Sequence, residues 1–204
     1  MFHSVDLRKR QKHRKRFVLI FLLIAFFCGA IAGVHLTRRV FPIKYSDIIE
    51  HYANKYDLPL ELVYAIIRAE SSFNRYAVSH AGASGLMQIM EPTGNWAAEQ
   101  IGLLDFDYGR IFEPEINIHI GSWYISRLIR QFGGNLDTAL AAYNAGSGNV
   151  SNWLNEQGST DHSLEHIPFG ETRNYVSRVR LYQDIYRVLL RLNSMFNGIF
   201  EVRS

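Results

Sequence analysis

The sequence predicts an all-α fold on three observations. From Tyr45 onward apolar residues recur at intervals of three and four. No stretch alternates apolar and polar residues with the period of a strand. Pro and Gly residues fall where the periodic segments begin and end. At 204 residues, 48% of them hydrophobic, the chain can bury one core and still carry an appendage.

The appendage comes first. Residues 1–16 are expected to form a basic cytoplasmic tail; they run into the uncharged stretch "FVLIFLLIAFFCGAIAGV", Phe17 to Val34. Eighteen such residues approach the roughly 20 needed to cross a bilayer core. They show no polar face, as a buried core helix would. A transmembrane signal-anchor over 17–36 is expected in a bacterial cell membrane, single-pass, with the N-terminus cytoplasmic because the Lys/Arg cluster precedes it. A cleavable signal peptide is the alternative, with Ala30–Ala32 as a small-residue site, but the run exceeds the about 7–15 residues of a signal core. Cys28, the single cysteine, lies in this run, so neither an intrachain disulfide nor a Cys-based metal site is available.

Residues 37–44 read as a linker, 45–192 as the main domain and 193–204 as a C-terminal tail. "YSDIIEHYANKYD" predicts a first helix capped by Ser46, and "LPLELVYAIIRAE" a second, with Pro59 in its first turn and Leu62, Val63, Ile66 and Ile67 facing the core. Residues 71–91 are irregular. A third helix is expected from about Thr93 to Ile101, then a loop to Phe112. "EPEINIHIGSWYISRLIRQFGG" predicts a long buried helix from Pro114 to a Gly133–Gly134 stop. "LDTALAAYNAG" is stopped by Gly146, "VSNWLNE" is short, and "ETRNYVSRVRLYQDIYRVLLRL" is strongly amphipathic.

The nine Lys/Arg and one Asp before residue 40 leave 13 basic and 18 acidic residues for the rest, a net of −5. The basicity belongs to the tail, so the main domain lacks the electrostatic footprint of a nucleic-acid binder. His80, His119, His162 and His166 lack ligand spacing, and no metal is expected. Trp96, Trp123 and Trp153 suit sugar stacking and core packing equally.

Four segments carry chemistry. In "YAIIRAESSFN" an apolar helix delivers Glu70 to its C-terminal end. The helix dipole and greasy neighbours there favour the protonated carboxyl, which a general acid requires. In "GASGLMQIM" two glycines allow close backbone approach beside Met87 and Gln88, a pattern shared with ordinary packed turns. "AAYNAGSGNV" sets Tyr143 and Asn144 at a small-residue helix end, where a close helix contact is an equal reading. "IPFGETRNYVSRV" opens the last helix with Glu171, Arg173 and Tyr175.

In this order and at these separations, "ESSFN", "GLMQIM", "AAYNAGSGNV" and "IPFGETRNYV" resemble the four motifs of the soluble-lytic-transglycosylase (SLT) domain, over about residues 45–192. The resemblance implies a lysozyme-like, goose-type helical domain. It also implies a cofactor-free enzyme acting on peptidoglycan glycan strands at the MurNAc–GlcNAc β-1,4 bond, with formation of 1,6-anhydro-MurNAc. It implies further that Glu70 is the single catalytic acid, that Ser71 binds near the reacting sugar, and that Met87, Gln88, Tyr143 and Asn144 line the groove. Tyr175 would reach the acid by hydrogen bond. A hydrolytic lysozyme on the same fold, or a non-catalytic wall-binding module, are the alternative readings.

Overall fold

The computed structural model describes residues 20–29, 32–33 and 35–201. The chain divides into two units, 1–42 and 43–204. In the first, the described backbone is helical at 20–29 and 35–40, and Ile20, Phe21, Leu22, Leu23, Phe26 and Phe27 are exposed. Among the described residues no helix is long and apolar enough to cross a membrane. The expected cytoplasmic tail, and residues 17–19, 30, 31 and 34 of the apolar run, lie outside the described residues.

The second unit is all-helical: α1 (Ser46–Lys55), α2 (Leu60–Glu70), α3 (Glu91–Gln100), a 3-10 helix (Tyr108–Phe112), α4 (Pro114–Gln131), α5 (Leu136–Ala145), α6 (Ser147–Glu156) and α7 (Gly170–Glu201). Its only pairings of strand type among the described residues are isolated bridges, Val78 to Ser84 and Ser84 to Ile89. Leu62, Val63, Ile66 and Ile67 are buried, as the apolar face of α2 predicts.

Several boundaries differ from the sequence expectation. Ser46 does not cap α1: the chain turns into the helix at Tyr45 (φ 56°), so Ser46 is already the first helical residue. Pro59 stands at the N-cap of α2 rather than inside its first turn. Helix α3 starts at Glu91, because Pro92 suits a first turn that needs no amide donor. The stretch expected as a tail from residue 193 is helical as far as Glu201, continuing α7. The stop of α4 is as expected: Gly133 (φ 60°) and Gly134 (φ 86°) are left-handed, and the Gly134 N–H closes the helix on Ile129 O at 2.8 Å.

Helix α7 packs along α2 more extensively than any other helix pair. The stacked rings of Tyr64 and Tyr186, 5.1 Å apart, lock the two together, and Arg187 crosses to Glu61 at 3.1 Å. On another side α1 docks on α4 through Tyr52 Oη donating to Glu115 at 2.5 Å and Tyr56 Oη bonded to His119 Nε2 at 2.6 Å. Burial and the neighbouring Lys55 ammonium push the His119 imidazole down to about 4, so it is neutral across the physiological range and serves packing.

Candidate active site

Helix α2 ends at Glu70, and the chain then turns through two consecutive left-handed residues, Ser72 (φ 53°) and Phe73 (φ 65°). Such backbone is costly for non-glycine residues. Burial of the Phe73 ring, only 4% exposed and 6.1 Å from that of Tyr64, offsets the cost and fixes the turn. Glu70 therefore stands where the helix dipole disfavours a negative charge. Burial raises its carboxyl to about 7; the Tyr175 hydroxyl and the Arg178 guanidinium pull in the opposite direction and lose. Among the described residues no second carboxylate acts on it.

Of the sequence-predicted residues, Tyr175 and Tyr143 are coupled to this carboxyl, and the others are committed elsewhere. Tyr175 is buried, and Glu70 is among the groups that hold its phenol protonated. The Tyr175 hydroxyl is close enough to lower the Glu70 pKa, yet no protein atom completes a hydrogen bond with it. Tyr143 also senses the Glu70 charge, and its hydroxyl donates to Met87 O at 2.8 Å. Ser71 is 9% exposed; its hydroxyl lies 2.8 Å from Leu86 O and 3.1 Å from Ile67 O. With one proton to give, it ties the end of α2 to the Gly-rich loop. Asn144 Oδ1 accepts from the buried Thr172 hydroxyl at 2.8 Å, joining the end of α5 to the start of α7. Glu171, by contrast, is exposed in the first turn of α7.

The loop that carries Met87 and Gln88 is built on close approach. A Cβ on Gly85 (φ 83°) would stand 2.1 Å from Asn117 Nδ2 and 2.8 Å from Ile111 O, and one on Gly121 would stand 2.3 Å from Met87 Sδ. Gln88 is held at φ 49°, its amide donating to Ala77 O and Gly85 O, both at 3.0 Å. The Met87 side chain is fully buried. Asn117, which sequence reasoning passed over, organises this loop from α4. Its Oδ1 accepts from Met87 N at 2.7 Å, and its Nδ2 donates to Ser84 O at 3.1 Å and Ile111 O at 2.9 Å. The signal was present in "EINIHIG", where an amide interrupts a run of isoleucines; a buried polar group there must find partners.

Beside Tyr143 and Asn144 opens a hollow of about 260 Å³ lined also by Gln88, Met90, Thr93 and Tyr124. Tyr124, likewise unforeseen, stands 5.4 Å from the Tyr143 ring. Trp153 is 6% exposed and packs edge-on against Phe169. Trp96 and Trp123 are half-buried. Among the described residues no cluster of His, Cys, Asp or Glu is arranged to hold a metal ion. A half-buried acid near neutrality, with Tyr175 and Tyr143 coupled to its charge, is an arrangement for proton transfer to a bound ligand.

Residues 47–165 match the family described as "Transglycosylase SLT domain". The chain is 43% identical over 157 residues to the soluble lytic murein transglycosylase of Salmonella typhimurium, a match covering 75% of this chain and 24% of that protein. It is 29% identical over 183 residues to membrane-bound lytic murein transglycosylase C of Cronobacter sakazakii, covering 75% and 48%. The solved structure of an inactive mutant of the lytic transglycosylase Slt from Pseudomonas aeruginosa superimposes with a TM-score of 0.69 at 36% identity, over 76% of this chain and 26% of that one. The match thus spans about a quarter of the length of the first of these relatives.

Proposed function

Because the chain belongs to the transglycosylase SLT family, we propose that it is a peptidoglycan lytic transglycosylase. In this reading it cleaves the MurNAc–GlcNAc β-1,4 bond and leaves 1,6-anhydro-MurNAc. The observation that carries the proposal is Glu70, a carboxyl raised to about 7 with no second carboxylate acting on it. Two-carboxylate glycosidases divide the acid and nucleophile roles between neighbours. Here one group takes both proton-transfer roles in turn, and a pKa near neutrality is what that requires.

The steps follow from that single group. Glu70 gives its proton to the glycosidic oxygen as the C1–O bond breaks. The substrate's own N-acetyl oxygen stabilises the oxocarbenium-like C1, the substrate-assisted exception to the two-carboxylate rule. The ionised Glu70, favoured by the charge of the Arg178 guanidinium, accepts the proton of the MurNAc C6 hydroxyl as that oxygen attacks C1. The ring closes, Glu70 is protonated again, and no water is consumed. Tyr175 steadies the carboxyl, Tyr143 pins the Met87 loop beside it, and Gln88, Asn144 and that loop shape the glycan groove.

Product mass tests the reaction. Purified peptidoglycan should release muropeptides lighter by one water than hydrolytic products. The Glu70→Gln variant, equal in size but without a transferable proton, should fold and release nothing. Reducing-end MurNAc as the main product would make the enzyme a hydrolase, and full activity in the variant would remove Glu70 from the chemistry.

The same reading places the enzyme at the membrane. The uncharged run from Phe17 and its basic flank, the exposed apolar side chains of the described part of that run, and the similarity to a membrane-bound relative all support a signal-anchor. The domain would then face the wall from the outer side of the cell membrane.

A further inference from the structure

Two hollows share a wall. Thr93 and Tyr124 line both the one beside Tyr143 and a larger one of about 490 Å³, which is lined also by Pro92, Trp96, Arg127 and Gln131. Ring-to-ring steps of 5.4 Å from Tyr143 to Tyr124 and 6.3 Å from Tyr124 to Trp96 lead from one hollow to the other. At its far end the Arg127 guanidinium lies 5.0 Å from the Trp96 ring centre and 6.0 Å from that of Trp123. The two indoles meet edge-on at 5.0 Å.

Arg127 is exposed, and no carboxylate pairs with it among the described residues. Several arginines carry an acid partner, Arg110 with Glu113, Arg180 with Asp137 and Arg187 with Glu61 and Asp184; Arg127 instead stacks on indole. The domain is acidic, a net of −5 over residues 40–204, and an arginine seated on indole rather than on an acid keeps its charge available to an anionic ligand. Stacking on indole holds a guanidinium flat and leaves its fork of N–H donors aimed outward, the geometry that grips a carboxylate. GlcNAc units are uncharged and give that fork nothing to bind. The peptide stems borne on the MurNAc units do carry carboxylates, together with amides that the Gln131 side chain can match.

We propose that Arg127, Trp96 and Trp123 form a shelf beside the glycan groove that binds the carboxylate-bearing peptide stem of the strand. This rests on the reading of peptidoglycan as the substrate and extends it to the part of the strand that sets specificity. Arg127 supplies the anion contact, the indoles supply apolar cover for the stem, and Gln131 supplies an amide partner.

The test is a binding cycle on the full chain carrying Glu70→Gln, which blocks turnover. The ligands are a tetrasaccharide muropeptide with free-acid stems and the same compound with its stem carboxylates amidated; tryptophan fluorescence reports occupancy at Trp96. Arg127→Gln should weaken the free-acid ligand roughly fivefold, the scale of a partly exposed ion pair. With the amidated ligand the two proteins should bind alike. Arg127→Lys, which keeps the charge and loses the fork, should fall between. An equal loss on both ligands would assign the shelf to bare glycan or to the fold, and no loss on either would remove Arg127 from recognition; both overturn the proposal. Failure of the enzymatic reading has a separate signature, the absence of anhydro products from the unmodified chain, and the binding cycle is read independently of it.

Discussion

At the scale of the residue, Glu70 is a group whose folded pKa, about 7, lies above its ordinary value. Its ionisation is therefore opposed by the fold. The associated stability is fully present below about pH 4.5 and is lost as pH rises towards 7. The Glu70→Gln variant has no such loss. It should match the unmodified chain in acid and exceed it by about 2 kcal/mol above pH 7, less than the full shift would give because the residue keeps some exposure to the groove. Urea unfolding at pH 4.5 and 7.5 reads this directly, and equal stabilities at both would mean the carboxyl is not buried. Tyr175 supplies the counterpart. Its hydroxyl is buried and unpaired but lowers the Glu70 pKa, so Tyr175→Phe should cost little stability. Turnover should fall on the order of ten- to a hundredfold. The alkaline limb of the pH–rate profile should move to higher pH, because the acid then holds its proton longer; an unmoved limb with unchanged turnover would detach Tyr175 from the site.

At the scale of the element, the site depends on one helix end and one loop pinned to it. The sequence showed both participants: the apolar face of α2 and the Gly-Met-Gln segment were legible from pattern and motif. What pattern did not carry was the attachment between them. Ser71 reads as a residue beside the acid, but its hydroxyl is committed to Leu86 O, a contact fifteen residues away that periodicity cannot report. Asn117 is the stronger case, since one buried amide on α4 makes two hydrogen bonds to the loop and a third to the 3-10 helix. Asn117→Ala should strand the Met87 N–H without a partner and open a small cavity. It should cost about 3 kcal/mol and lower activity through a loosened Met87–Gln88 loop. Chemical denaturation should register that loss, and a change below about 1 kcal/mol would show that the loop is held by its own turns.

At the scale of the whole molecule, charge and hydropathy divide the chain more sharply than any structural boundary. The first 39 residues carry nine Lys/Arg against one Asp, and the remainder carries an excess of acid. The helical class of the second unit and the candidate acid Glu70 were readable because periodicity and motif spacing are local properties. The aromatic route from Tyr143 through Tyr124 to Trp96 was not, because it joins three helices distant in sequence. In the proposed reading of the first unit, an uncharged run of eighteen residues with its positive charge on the N-terminal side would orient the chain with that side in the cytoplasm. An acidic domain on the far side would then reach the wall without being drawn back to anionic lipid headgroups, since like charges repel. The full chain should accordingly sediment with membranes and resist extraction by high salt, which releases proteins held by charge alone. Protease added to intact spheroplasts should digest residues 43–204 and spare a short N-terminal fragment. Recovery of a soluble mature form beginning near Gly33 would replace the anchor by a cleaved signal peptide, and a domain protected from external protease would reverse the orientation.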